Sequence, residues 1–316
     1  MLAIDLEQVC FDKCERNQRL YGGTAGRKLG VYYNEGNYML KFPGKTEINR
    51  GIEGSIQISN SPVYEYIGSK IYEILGMEVQ QTILGTRNGK PVVACKDFLE
   101  DGDRLYEFDK IMATREPEKN GSSWEETNCA GTDLDEVLSV IKGHPVFAEI
   151  EGAELFFWKM FVVDVWIGNQ RNNRDWGIVI KADGTKHLAP VYDNGNCFRC
   201  DWDDQEIQEV LAEEQKISLE AFGGWESVYE RKGKKVNPYQ LITKREYEGC
   251  CQAIQQIVPE MFVRMQEIEN LIDRMPFITS VHKRFCKVML DRRFEKILMP
   301  VYEEMWEERS RIQTKS

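Results

Sequence analysis

A single change of hydrophobic period, near residue 98, constrains this chain more than any other feature. Before it, apolar residues come mostly in short alternating runs broken by turn residues, with one helical stretch among them; after it, helical spacing prevails. A period of two puts alternate side chains on opposite faces of a strand, and a period near 3.6 gathers them along one side of a helix. A chain whose strand-like runs are concentrated first and whose helical runs are concentrated later is expected to form a strand-rich unit followed by a mostly helical one. The expected fold is therefore α+β and two-lobed. The small lobe, residues 1–98, carries a glycine loop, a β-hairpin and one helix; the larger lobe, 99–316, is mostly helical. A cleft between two such lobes is a common place for a ligand.

The segments support this division. LGVYY and NYMLKF, joined by Asn34-Glu35-Gly36, read as a hairpin, with a loop Tyr21–Gly26 just before it. Residues 44–60 are polar and contain glycine, so they read as a loop. SPVYEYIGSKIYEILGM predicts a helix with Ser61 as cap, Pro62 in the first turn and Gly76 at the end. Ile67, Ile71, Ile74 and Leu75 form its apolar face. VQQTILGT and KPVVACKDFL flank Arg87-Asn88-Gly89, a strong turn signal. Residues 115–128 read as an exposed polar loop. Residues 144–168 predict a buried helix, and GIVIKADGTKHLAPVYDNG predicts two short strands around Asp183-Gly184. From 204 on, QEIQEVLAEEQ, EGCCQAIQQIV and VRMQEIENLIDRM read as helices.

Composition narrows the function. The net charge of −11 argues against a basic face for nucleic acid, so no nucleic-acid partner is expected. A local nest of donors with a few cations still suits a phosphate ligand. No window approaches eighteen uninterrupted apolar residues, so no membrane span is expected. The N-terminal residues lack the basic-then-apolar order of a secretory leader. With nine cysteines, an odd number, reduced thiols and a cytoplasmic setting are expected. An effector delivered by a specialised secretion route would have the same composition. Cys10/Cys14 and Cys197/Cys200 are close pairs, but neither has the context of a zinc ribbon, and isolated thiols are the reading.

Several residues could carry chemistry. Lys41 sits between Leu40 and Phe42, which would face the other way in an alternating strand, leaving the lysine free to hold phosphate oxygens. It reads equally well as a surface lysine. Glu65, on the following helix, could fix that lysine, or be one more solvent-facing glutamate. Gly22, Gly23 and Gly26 would let backbone N–H groups approach a phosphate, although they match neither the P-loop nor the dinucleotide pattern. Asp193 ends an apolar run and is followed by Asn-Gly. With Asp175, in the polar stretch 169–175, it could hold Mg²⁺; alone it is also an ordinary turn aspartate.

Taken in order, YGGTAGRK, YMLKFP, SPVYEYIGSKIYEILG, VVACKDF, IGN with its polar loop, WGIVI and LAPVYDNG resemble the HipA-like serine/threonine kinases. They are most like the compact CtkA-like branch, over roughly residues 20–200. The resemblance implies a protein-kinase-like fold, ATP and Mg²⁺ as cofactors, and phosphoryl transfer to protein serine or threonine, including autophosphorylation at a serine such as Ser55, Ser59 or Ser61. By resemblance, Lys41 contacts the ATP phosphates and Glu65 is its partner. The backbone at Lys96 and Phe98 holds adenine, and Asp193 binds the metal. The family loop reads Asp-Arg-His-x-x-Asn. Anchored on Trp176-Gly177, Gln170 falls at the aspartate, Asn172 at the histidine and Asp175 at the metal-binding asparagine. Anchored on Gly168-Asn169, Arg171 falls at the aspartate. Neither register supplies the acid, so a slow kinase and a pseudokinase that only binds nucleotide or a partner protein are both open readings.

Overall fold

The computed structural model describes residues 9–22, 27–47, 56–114, 131–223 and 227–313. The predicted loop at 115–128, along with Gly23, Gly26 and Ser55, lies outside them.

The first part of the chain is a twisted sheet with one helix against it. The strands are β1 (Val9–Cys10), β2 (Lys28–Tyr33), β3 (Gly36–Lys41), β4 (Lys45–Glu47) and β5 (Ile56–Ile58). Helix α1 (Ser61–Ile74) follows, then β6 (Thr82–Arg87) and β7 (Lys90–Lys96). The main sheet has the order β1-β6-β7-β3-β2. Alternation along β3 and β7 gives it two apolar faces. Tyr38, Leu40, Val92 and Ala94 meet Phe11, Leu29 and Val31 on the outer face. Val93 and Cys95 join the core that contains α1. Strands β4 and β5 pair with each other inside the stretch expected to be a loop.

The cap of helix α1 falls one residue earlier than predicted. Asn60, at φ −81° and ψ 13°, is the N-cap and makes no side-chain cap bond, while Ser61 is already helical. The Ser59 hydroxyl accepts the Ser61 N–H instead, at 3.0 Å. At the other end Gly76 takes φ +75°, as a helix-terminating glycine does. Pro62 through Ser69 are all buried, because α1 lies between the sheet and the helical part of the chain.

The remainder opens with β8 (Arg104–Glu107), α2 (Phe108–Ala113) and α3 (Leu134–Gly143). The segment predicted as a buried helix, 144–168, is α-helical only over α4 (Ala153–Ile167), apolar all round and bounded by left-handed Gly152 and Gly168, while Pro145–Phe147 forms a separate 3-10 turn. Strands β9 (Gly177–Ile180) and β10 (Lys186–Leu188) form the predicted hairpin. They take β8 as a third strand, in the order β10-β9-β8. Then come α5 (Asp204–Leu211), α6 (Glu214–Phe222), α7 (Pro238–Lys244), α8 (Glu248–Arg274), α9 (Ser280–Arg293) and α10 (Met299–Gln313). QEIQEVLAEEQ forms two helices rather than one, because Glu213 turns extended at φ −136° and ψ 128°. Helix α4 is the hub of this part, with Phe157, Trp158, Phe161 and Trp166 fully enclosed or nearly so. Among the described residues no helix is long and apolar enough to cross a membrane.

Candidate active site

Lys41 is aimed by the pleat of β3. Leu40 enters the outer core, so Lys41 emerges on the opposite face, across from Val93. Its Nζ lies 2.7 Å from Oε2 of Glu65 and 2.8 Å from Oδ1 of Asp193. Glu65 is only 2% exposed, and its Oε1 accepts the Asn194 N–H at 2.9 Å. Such an approach of α1 to residues 193–195 needs bare glycine at two points. A Cβ on Gly68 would lie 2.8 Å from Asn194 Cβ, and one on Gly195 would lie 3.0 Å from Glu65 Oε2. Burial works against the Lys41 charge, but Glu65 and then Asp193 outweigh it and hold the ammonium well above the ordinary lysine range.

The polar loop leaves α4 through Gly168 at φ +69°. Within it, exposed and buried side chains alternate. Gln170 is exposed and makes no side-chain hydrogen bond among the described residues. Asn172 is also exposed; its Oδ1 accepts the Arg174 N–H at 2.8 Å, and its own N–H donates to Asp175 Oδ2 at 3.1 Å. Asn173 is buried, and its Oδ1 accepts from Trp176 Nε1 at 3.0 Å and the Tyr229 hydroxyl at 3.1 Å. Trp176 stacks on Phe108 with ring centroids 4.1 Å apart, which fastens the end of the loop to α2. Arg171 is buried against Asp164 of α4, 2.7 Å away. Asp164 is fully engaged there, since it also accepts from Tyr72 and Asn169.

The two carboxylates read from the sequence sit in opposite electrostatic states. Burial, and next the charge of Asp193, raise the Asp175 carboxyl from 3.8 to about 7. Lys41 lowers Asp193 to about 2. Asp193 takes φ +59°, a left-handed conformation that an aspartate tolerates and that turns its carboxylate toward Lys41. The donor set suits a divalent cation: a +2 charge would offset both the burial and the Asp193 charge that raise the Asp175 carboxyl. Two carboxylates are also what Mg²⁺ takes from a protein when phosphate oxygens and water complete its shell.

The strand leading out of the sheet is less open than expected. Lys96 is exposed, but its N–H bonds to Gln81 O at 2.8 Å and its carbonyl accepts from Gln80 at 2.9 Å. Its main chain is thus already satisfied by the fold. Phe98 has no such main-chain bonds among the described residues, and its ring meets Tyr192 at 5.7 Å. The Gly22 carbonyl accepts from Lys28 Nζ at 2.7 Å. Of the three suggested serines, Ser59 is 7% exposed, Ser61 is the first residue of α1, and Ser55 lies outside the described residues.

A sheet lysine paired with a buried helix glutamate, facing an aspartate just after a β-hairpin, sets this chain in the protein-kinase-like class. No protein-family model matches it. Over 293 residues it is 33% identical to the serine/threonine-protein kinase CtkA of Helicobacter pylori, covering 91% of this chain and 86% of that one. It superposes on the crystal structure of a Helicobacter pylori proinflammatory kinase CtkA with a TM-score of 0.84 and 31% identity, covering 95% of this chain and 98% of the other. HipA of Shewanella oneidensis, solved with HipB and operator DNA, shares the fold at a TM-score of 0.51 and 12% identity, covering 90% of this chain and 67% of that one. The chain belongs to the HipA-like serine/threonine kinase family, in its CtkA-type branch.

Proposed function

We propose that this protein transfers the γ-phosphoryl group of ATP to a serine or threonine hydroxyl of a protein, its own chain included. The observation that carries this reading is Lys41 Nζ standing between Glu65 and Asp193. Glu65 keeps the ammonium charged and aimed, so that it can neutralise phosphate oxygens. Asp193 and Asp175 hold Mg²⁺, which offsets the charge on the phosphates. Phe98, through its free main chain, and the Tyr192 ring beside it are suited to the adenine. Gly22 begins the loop over the phosphates.

Gln170 and Asn172 face the acceptor. An amide oxygen can accept a hydrogen bond from the acceptor hydroxyl and orient it, but it cannot take the proton. Phosphoryl transfer passes through a loose transition state in which the protein mainly positions groups and stabilises charge. The missing carboxylate therefore slows transfer, by about 10²–10⁴-fold, without abolishing it. The binding-only alternative rests on the missing loop aspartate, whereas the Lys41–Glu65 and Lys41–Asp193 ion pairs support transfer.

The test is intact mass of the purified protein after incubation with ATP and Mg²⁺, beside Lys41→Ala. Phosphate on the native chain and none on the variant is the expected result. With a panel of basic and neutral protein acceptors present as well, no phosphate on any component refutes the proposal.

A further inference from the structure

The most heavily bonded side chain near the site is one with no part in the reaction proposed above. Arg171 is 5% exposed and uses its whole guanidinium. Nε donates to Asp164 Oδ2 at 2.7 Å, and Nη2 to Asp164 Oδ1 at 3.2 Å. Nη1 donates to the Asp175 carbonyl at 2.9 Å and to the Tyr192 carbonyl. Nη2 also reaches Asn194 Oδ1. Behind it the Tyr72 ring lies 5.8 Å from the guanidinium carbon, and the Tyr72 hydroxyl is 2.7 Å from Asp164 Oδ1. One planar group thus bonds the main chain of Asp175 and both neighbours of Asp193, and its own charge is balanced by a third carboxylate on α4.

We propose that Arg171 is the positioning residue for the metal: it sets the spacing of Asp175 and Asp193 without touching the ion. This rests on the reading of those two carboxylates as the Mg²⁺ ligands. Three features of the chemistry support it. The residues it holds lie in the loops that enter β9 and leave β10; the pairing of those strands ends at Gly177 and Ala189, short of both Asp175 and Asp193, and Arg171 ties the two loops beyond it. The guanidinium is a rigid fork, so bonding three acceptors at once fixes their mutual distances, which a lysine ammonium cannot do. The bonds also run onward to the lysine. Asn194 donates to Ser69 Oγ at 3.0 Å, and its N–H meets Glu65, whose other oxygen holds Lys41. Displacing Arg171 therefore shifts the metal pair first and the lysine through it. Groups that orient metal ligands from behind are worth about 10–100-fold in metal affinity.

Mn²⁺ serves as the probe, read by loss of the free-ion electron paramagnetic resonance signal on the full chain with a non-hydrolysable ATP analogue. Three variants are compared: Arg171→Lys, the double variant Arg171→Met with Asp164→Leu, and Asp193→Asn. The double variant exchanges a buried ion pair for apolar groups of similar volume, which keeps a fold stable where a lone buried charge would not. The expected result is Mn²⁺ affinity about 10–100-fold weaker in both Arg171 variants, with nucleotide affinity in chelator changed by a smaller factor. If the double variant melts cooperatively and binds Mn²⁺ like the native chain, while Asp193→Asn does not bind, Arg171 has no positioning role and the metal reading stands. If Asp193→Asn itself binds Mn²⁺ normally, the metal reading falls and takes this inference with it.

Discussion

Gln170 is the position where one substitution tests the chemistry without disturbing the fold. Its side chain is exposed and unbonded among the described residues, so exchange costs within about 0.5 kcal/mol of stability. Gln170→Asp places a carboxylate where the family pattern has one. If the absent base is what limits transfer, the variant gains about 10²–10⁴-fold in rate. That corresponds to about 2.7–5.4 kcal/mol off the barrier. Among the described residues, the two nearby aspartates are otherwise engaged. Asp164 is sealed by Arg171, Tyr72 and Asn169, and the Asp175 carboxyl, pushed up to about 7, faces Asp193. Gln170→Glu, which keeps the length of the side chain, controls for reach. The assay is the initial rate of phosphate incorporation from labelled ATP, with affinity for an ATP analogue measured in parallel. Both variants folding and binding the analogue normally, with no faster transfer, would refute the claim that the loop lacks only a base.

Two further outcomes follow from the same geometry. Glu65→Gln keeps the shape but removes a buried, charge-assisted bond to Lys41, and should cost about 1.5–3 kcal/mol in denaturant unfolding and on the order of 10²-fold in transfer rate; unchanged values in both would show that Lys41 is held by Asp193 alone. In chelator, the raised Asp175 pKa stabilises the fold fully below about pH 4, and that contribution is lost as pH rises through about 7. Asp175→Asn should therefore be more stable than the native chain near neutral pH, with the advantage shrinking as the pH falls; a pH-independent difference in denaturation midpoint would contradict this.

Much of the fold was legible because it rests on period. The hairpin at β2 and β3, α1, the strand pair at β6 and β7, and the all-apolar α4 each carry enough residues for alternation or helical spacing to show. What was missed is short. Strand β8 has four residues and joins β9 only through tertiary contact, and β4 and β5 have three each. The site was legible in part. Alternation aims Lys41, but its two partners stand 24 and 152 residues away, and only the ordered family segments pointed to them. One register of the loop sets Arg171 at the position of the catalytic aspartate, and neither register points to its structural use. Its one local signal was Asp164, seven residues earlier and an isolated acid in an apolar helix, since buried charge needs a partner. The close contact of α1 with residues 193–195 depends on Gly68 and Gly195, which a sequence reads only as small residues.

Lys41 is one cation among three carboxyl groups, those of Glu65, Asp193 and Asp175. A cleft of that sign repels a bare polyphosphate and gives a lone divalent ion only two ligands. Each of the two guests thus supplies what the other lacks, so the binding of either strengthens the binding of the other by the same factor. The pairing of Lys41 with Glu65 and Asp193 therefore disposes the site to take nucleotide and metal together.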